Sequence, residues 1–207
     1  MLERHSRSAH VYEAIKAEVR SGAYPPGYPI SAATLSRRLS TSIIPIREAL
    51  NRLTGERLVE ARDHNGFFAP RISEMGLRDL YHSQMALILC ALDHLAMPDP
   101  KYVELFDASA HGAPWAAVER LFNALADAST SGELSWVLHN ALDRLHPVYL
   151  LKQEVAADWE LECIRLLAHW QRGNRAEFKE ALTAYHARRL ELVPALVERL
   201  NHPTLAH

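Results

Sequence analysis

Apolar positions along this chain recur mostly at helical spacing. Residues 9–21 place Val11, Ile15 and Val19 four apart with Ala14 beside them, one apolar face of a helix that Gly22 can stop. The stretch "YPPGYPI" follows, and its three prolines and one glycine predict a fixed turn. Ser31 is placed to cap a second helix, "AATLSRRLS", with Leu35 and Leu39 on its inner face. Thr41 and Ser42 offer the next cap. Pro45 falls in the first turn of the helix they open, where a missing N–H costs little. In that third helix Ile46, Ala49, Leu50 and Leu53 form a single apolar stripe, which leaves Arg47, Glu48, Asn51 and Arg52 outside.

After Gly55 the spacing changes. "LVEAR", "DHNG" and "FFAP" predict strand, turn and strand, with Asn65-Gly66 at the turn because both residues tolerate positive φ. From Ser73 the pattern is helical again. A long apolar segment, "EMGLRDLYHSQMALILCALDHLA", is broken by "MPDPKY", and "ASAHGAP" ends the short piece after it. Further helical segments are "PWAAVERLFNALADAS", "ELSWVLHNALDRLH", "WELECIRLLAHWQRG" and "RAEFKEALTAYHARRLELVPALVERL". The predicted protein is mainly α: a winged helix-turn-helix over residues 1–72, then an all-α helical bundle over residues 73–207, with the boundary near "APRISEMG".

Composition changes this picture little. Apolar residues at 48% and charged residues at 23% are those of a folded soluble chain. The greasiest run, "MALILCALDHLAM", is interrupted by Asp93 and His94, so no membrane span is expected. "MLERHSRSAH" has no apolar core of a secretory signal, and Cys90 and Cys163 form no CxxC pair; a reducing, cytoplasmic setting is expected. Charge adds more. Residues 1–72 hold 11 Lys+Arg against 7 Asp+Glu, while the remainder holds 12 against 18. A basic first part joined to an acidic second part predicts that only the first meets a polyanion. The chain has twelve histidines but no nucleophile elbow, phosphate loop or dinucleotide fingerprint, so no enzyme is expected.

In a helix-turn-helix the second helix enters the major groove of double-stranded DNA by its N-terminal end. That assigns Ser42 to Arg52 to the groove and frees Arg47, Asn51 and Arg52 to reach DNA. Arginine suits phosphate or guanine because its planar fork donates two parallel hydrogen bonds. The wing, residues 62–67 with Asn65 and Gly66, would reach the adjacent minor groove or backbone.

These residues resemble the GntR family of bacterial transcription regulators. The likeness covers residues 11–69, from "IKAEVRSGAYPPGYPIS" through "LSRRLSTSIIPIREALNRLTGERLVEARDHNGFF", and is most specific at Pro26-Gly27 and at Pro45-Ile46-Arg47-Glu48-Ala49-Leu50. The all-helical remainder is similar to the family's FadR-like, ligand-sensing (FCD) branch. Two departures stand out. The family has Ser-Arg where this chain has Ser42-Ile43, and a further contact arginine in some members is Ala33 here. Of three arginines implied by the resemblance only Arg47 remains, so Arg37, Arg38 and Arg52 are expected to compensate through phosphates. Ile43 and Ile44 could meet thymine methyls, or pack against a neighbouring subunit or the wing. The expected DNA-binding set is Arg37, Arg38, Thr41, Ser42, Ile43, Arg47, Asn51, Arg52, Asn65 and Gly66.

The resemblance also implies a divalent metal held by one Asp and three His in the bundle. Here Ser135 stands at the Asp position, His139 at the first His, Cys163 at the second (Ile164 with one residue of slippage) and His186 at the last. His139, Cys163 and His186 would suit zinc, which takes N and S ligands; equally, they could be structural residues or liners of an effector pocket with Ser135. The branch's R-x-x-x-E pair is replaced by Gln84 and Ile88. Arg144, Arg165 and Arg189 are left either to bind an anion or to be solvated helix charges. The expected protein is a homodimeric, sequence-specific repressor that binds a double-stranded DNA operator under control of a small-molecule effector, with no membrane partner. The alternative is a protein-interaction or dimerisation module whose winged helix is degenerate.

Overall fold

The structure, a computed structural model, describes residues 2–62, 66–94 and 114–201. Among them are eight helices and three short strands. The chain divides into two compact units. One comprises the residues up to Ile72 together with the end of the last helix from Arg199, and the other is Ser73–Glu198.

In the first unit, helix α1 (Leu2–Arg20) begins earlier than its apolar pattern and ends at Gly22, whose φ of 73° and bond from its N–H to Val19 O turn the chain away. Val11, Tyr12, Ile15 and Val19 are its buried face. Strand β1 (Pro29–Ile30) precedes α2 (Ala32–Arg38), where the Ser31 hydroxyl accepts from Thr34 N–H at 3.2 Å. Helix α3 (Ile43–Gly55), β2 (Glu60–Arg62) and β3 (Gly66–Phe68) complete a winged helix-turn-helix. The three strands run in the order β1-β3-β2, all antiparallel neighbours.

Two details add to the sequence pattern. "YPPGYPI" is not only a turn: Pro29 pairs with Phe68 and Ile30 with Phe67. A two-residue strand is too short to show periodicity, and proline is tolerated because β1 is an edge strand. The stretch before it is a β-turn, closed by Tyr28 N–H to Pro25 O at 2.9 Å, with Pro26 and Gly27 at its centre. Gly27 has φ 81°, the left-handed position of a type II turn. Helix α3 (Ile43–Gly55) ends where the spacing changes, but Gly55 is not its left-handed residue. Arg57 takes the left-handed place at φ 58°, and Leu58, buried, returns its N–H to Leu53 O at 3.0 Å.

The second unit is all helical among the described residues: α4 (Glu74–His94), α5 (Pro114–Asp127), α6 (Gly132–Val155), α7 (Trp159–Gln171) and α8 (Arg175–Asn201). The short piece expected between "MPDPKY" and "ASAHGAP" lies outside the described residues. Helix α6 continues past His146, through Pro147. An internal proline costs about 3 kcal/mol. The continuation fully buries Val148 and Tyr149, and burying two such side chains returns about 1.5–3 kcal/mol each. No helix among the described residues is long and apolar enough to cross a membrane.

The turn at Gly27 is testable. An added Cβ would sit 2.8 Å from the Arg71 Nε atom, part of a long side chain that can swing aside, so the cost is the backbone's. Gly27→Ala is expected to destabilise the first unit by about 1–2 kcal/mol. Gly27→Asn, which adopts left-handed φ more readily, should recover part of that in urea unfolding. An Asn variant no better than Ala would remove the φ explanation.

Candidate nucleic-acid interface and buried polar cluster

Helix α3 buries Ile46, Ala49, Leu50 and Leu53 against α1, α2 and the loop before the wing, so its opposite face is solvent-exposed. Along that face Ile44, Arg47 and Asn51 fall at i, i+3 and i+7. Ile44 is 64% exposed and Ile43 40%, so Ile44 heads the outer line while Ile43 is the less exposed of the two. Arg47 is exposed and makes no ion pair or hydrogen bond among the described residues.

The turn into α3 is held by Ser36. Its hydroxyl donates to Thr41 O at 2.6 Å and its carbonyl accepts from Thr41 N–H at 3.1 Å, while Ser40 takes φ 49°. Ser42 is the N-cap by backbone geometry, but its exposed side chain makes no capping bond. The first amide groups of α3 and the Ser42 hydroxyl therefore remain available at the positive end of the helix dipole, a ready phosphate site.

Two of the expected phosphate arginines are engaged inside the protein. Arg38 pairs with Glu18 of α1, and its Nη2 lies 3.4 Å from the Tyr24 hydroxyl. Those contacts, Tyr24 first, push its guanidinium pKa up. Arg52 Nε donates to Glu56 at 3.2 Å, and its guanidinium lies 3.7 Å from the Tyr12 ring centroid. Glu56 is buried and also accepts from the Tyr12 hydroxyl at 2.8 and 2.7 Å. Both arginines keep exposed edges, but their first task is to tie α1 to α2 and α3. Arg37 is exposed and donates to Thr34 at 3.3 Å. In the wing, Gly66 is exposed at φ 88°, and Arg62 is paired with Glu60 at 3.1 Å over the Phe68 ring. Asn65 lies outside the described residues.

In the second unit the four residues expected to line a pocket differ in burial and partners. His139 Nδ1 lies 3.0 Å from Asn123 Oδ1 and its Nε2 2.8 Å from Asp127 Oδ1, tying α6 to α5 at a partly exposed position. Ser135, one turn earlier, is half-buried. Cys163 and His186 are buried. The zinc-like set of His139, Cys163 and His186 does not assemble: among the described residues no three His, Cys, Asp or Glu could hold a metal ion.

His186 instead joins a buried polar chain. Its Nδ1 lies 2.9 Å from Leu182 O, its Nε2 3.2 Å from Gln84 Oε1, and Gln84 Nε2 donates to the Tyr149 hydroxyl at 3.1 Å. Phe122 stacks on the imidazole. Beside this chain is Arg189, which is fully buried and so is no solvated helix charge. Its guanidinium lies 4.1 Å from the Trp159 ring centroid and 4.0 Å from that of Tyr185, and Nη1 donates to Glu162. Burial works against its charge, but Tyr185 and Glu162 outweigh it and its pKa rises. The signal was in the register of α8, where Arg189 continues the stripe of Phe178, Leu182, Tyr185, Val193 and Leu196. Arg165, by contrast, is exposed.

Comparison with known proteins follows the same division. Residues 7–69 match the bacterial regulatory proteins, gntR family. Over 93 residues the chain is 31% identical to an uncharacterized HTH-type transcriptional regulator in the TAR-I ttuE-ttuC' intergenic region of Agrobacterium vitis, covering 45% of this chain and 54% of that protein. The match thus spans about half the length of that relative. The fold resembles a solved structure described as transcriptional regulator GntR from Rhodococcus sp. RHA1, with TM-score 0.76, 17% identity, and 92% of this chain and 98% of that one covered. It also resembles E. coli McbR/YncC, with TM-score 0.69, 20% identity, and 91% and 97% covered. At these identities the structural likeness is one of fold. The family match falls within the winged helix-turn-helix of the first unit.

The buried cluster has a consequence at alkaline pH. Burial holds Tyr81 and Tyr185 well above the ordinary value of 10.0 and pushes Tyr149 up as well. A phenol that holds its proton more tightly when folded contributes fully below its unfolded pKa and loses that contribution as pH rises through the folded one. Stability of the second unit is therefore expected to be insensitive to these phenols below an unfolded value near 10.0 and to decline above it. Urea unfolding at neutral and alkaline pH checks this. Tyr81→Phe should lose less stability on going alkaline than the parent protein, and an equal loss would remove Tyr81 from the explanation.

Proposed function

We propose that the protein is a transcription regulator of the FadR-like (FCD) branch of the GntR family. It acts as a homodimer that represses by binding an operator, under control of a small-molecule effector taken up in the core of the helical unit. The observation that carries the DNA reading is α3 itself. Its inner stripe is fully committed to packing, while Ile44, Arg47 and Asn51 line its outer face beside an uncapped N-terminus. The gntR match over residues 7–69 supports the same assignment. A two-fold dimer is supported by the usual symmetry of helix-turn-helix operators. The effector reading is supported by the polar groups in the core of the second unit, since buried polar groups are costly unless satisfied. An interaction module remains the second reading, favoured by the exposure of Ile43, where the family carries arginine, beside an exposed Ile44.

A mobility-shift titration on DNA from upstream of its own reading frame, at two salt concentrations, separates the two readings. A regulator binds with an affinity that falls steeply with salt, and an interaction module gives no specific shift. Arg47→Ala is expected to weaken specific binding by about 1–3 kcal/mol while leaving thermal unfolding unchanged, because the residue is exposed and lies outside the buried stripe. Unchanged operator affinity in a folded Arg47→Ala protein would take the residue out of DNA reading.

Ile43→Arg distinguishes what the isoleucine does. The new charge meets the positive end of the α3 dipole at a cost of a few tenths of a kcal/mol, roughly, which a phosphate contact exceeds. If Ile43 is a lost contact, affinity for all DNA rises and the salt slope steepens by about one charge. If it reads a thymine methyl, operator binding weakens while non-specific binding strengthens. If it packs against protein, the melting temperature drops. Identical binding and melting would place residue 43 in solvent and defeat all three.

A further inference from the structure

Helix α3 carries a single acidic residue, and it stands on the outer face. Glu48 is exposed, one turn after Ile44 and one position after Arg47, on the side opposite the buried stripe. A helix ordinarily meets such a carboxylate with a cation four residues on. Here that residue is Arg52, which is turned elsewhere: its Nε donates to Glu56 at 3.2 Å and its guanidinium lies 3.7 Å from the Tyr12 ring centroid. Glu48 makes no hydrogen bond or ion pair among the described residues. The fold therefore gives this carboxylate no partner of its own and holds it beside Arg47, Ile44 and Asn51.

A carboxylate in the middle of a face presented to DNA is repelled by the phosphates on either side. The repulsion is offset only where the groove offers a donor. Two groups donate in the major groove, the N4 amino group of cytosine and the N6 amino group of adenine. Beside the adenine amino group lies N7, an acceptor, which the second carboxylate oxygen meets unfavourably. Beside the cytosine amino group lies a C–H edge. Thymine O4 and guanine O6 are acceptors and oppose a carboxylate outright. Cytosine is thus the base that a carboxylate selects, through a charge-assisted hydrogen bond. Ile44, 64% exposed, adjoins Glu48 on the N-terminal side. Closing it against the bases removes water from beside that bond and strengthens it.

We propose that Glu48 is a base-reading residue: its carboxylate accepts from the N4 amino group of a cytosine in the operator and repels DNA that has no cytosine there. This rests on the reading of α3 as the DNA-contacting helix and adds a residue that the contact set expected from the sequence leaves out.

The test uses the full chain to select from a library of random-sequence duplexes. The best-bound duplex and a scrambled version of it are then titrated at two salt concentrations. The wild-type motif should contain a cytosine that Glu48→Gln no longer requires. Because glutamine pairs with adenine N6 and N7, that position should shift towards adenine. Exchanging the C·G pair for T·A replaces the amino donor by a carbonyl acceptor. It should weaken the wild-type protein roughly five- to a hundredfold and Glu48→Ala by less than about twofold. On the scrambled duplex both variants should bind more tightly than the parent, since a charge that repels phosphate is gone. Loss on one duplex with gain on the other is not the signature of a damaged fold. Melting temperature should be unchanged in both variants, because Glu48 is exposed and outside the buried stripe. A motif left unaltered by both variants, or equal tightening on both duplexes, would overturn the proposal and leave α3 as the DNA-contacting helix. A wild-type protein that enriches no motif would overturn the proposal and the DNA reading together.

Discussion

The first unit depends on α3 being held by one side only. Ile46, Leu50 and Leu53 are completely buried, and Ala49 nearly so, against the face of α1 built from Val11, Tyr12, Ile15 and Val19. Large apolar side chains buried this way contribute about 1.5–3 kcal/mol each, more than any polar contact in the unit. That stripe fixes the rotation of α3 about its own axis, and the rotation decides which residues face outward. Glu56 adds direction at the far end. It is buried, shares the single Tyr12 hydroxyl proton between its two oxygens, and is approached by Lys16 at 3.7 Å and Arg52 at 3.2 Å. A buried carboxylate contributes little net stability once its dehydration is counted. Here its several partners set the register of α1 against α3, which an apolar side chain would set less sharply.

The second unit applies the same logic to a polar interior. Its helices bury Leu77, Ile88, Val118, Leu121, Leu138, Leu142, Leu166 and Leu182, and that apolar shell keeps Gln84, His186 and Arg189 away from water. Inside it hydrogen bonds and charge act at low dielectric, where satisfied groups rigidify and unsatisfied ones are expensive. The chain from Leu182 O through His186 and Gln84 to Tyr149 connects α8, α4 and α6. Arg189 and Glu162 connect α8 to α7. Four of the five described helices of this unit are thus joined through polar groups in its core.

How legible this was in the sequence varied with the physics behind each element. The α3 stripe was readable because burial of one helix face leaves a 3.6-residue period. So were the boundaries at the proline- and glycine-rich breaks. Strand β1 was not, since two residues carry no period and Pro29 argues against a strand until Phe68 is seen beside it. Helix α6 runs through Pro147 because of what Val148 and Tyr149 bury, a tertiary gain that a local propensity cannot contain. At the candidate sites, the period of α3 places Arg47 on its outer face, where it is exposed. Arg38 and Arg52 read as phosphate contacts and are exposed, but their partners, Glu18 and Glu56, come from elsewhere in the fold or the next turn. His139 matched a ligand position by resemblance, and only its neighbours Asn123 and Asp127 reveal its structural role. Arg189 was misjudged for the opposite reason. Its residue type suggested water, while its place on the α8 stripe pointed inward.

Arg47 is exposed and makes no hydrogen bond or ion pair among the described residues, and Ile44 and Asn51 are exposed on the face opposite the packed stripe. Replacing them therefore costs the fold almost nothing, and the outer face of α3 is free to drift over generations without passing through misfolded intermediates. The buried polar chain has no such freedom, because each member constrains the next and a single exchange strands a neighbour. Two rates of change are thus built into one chain. On the proposed function, its preference for DNA can be rewritten by surface substitutions, one at a time, whereas its helical interior can be retuned only by concerted replacement.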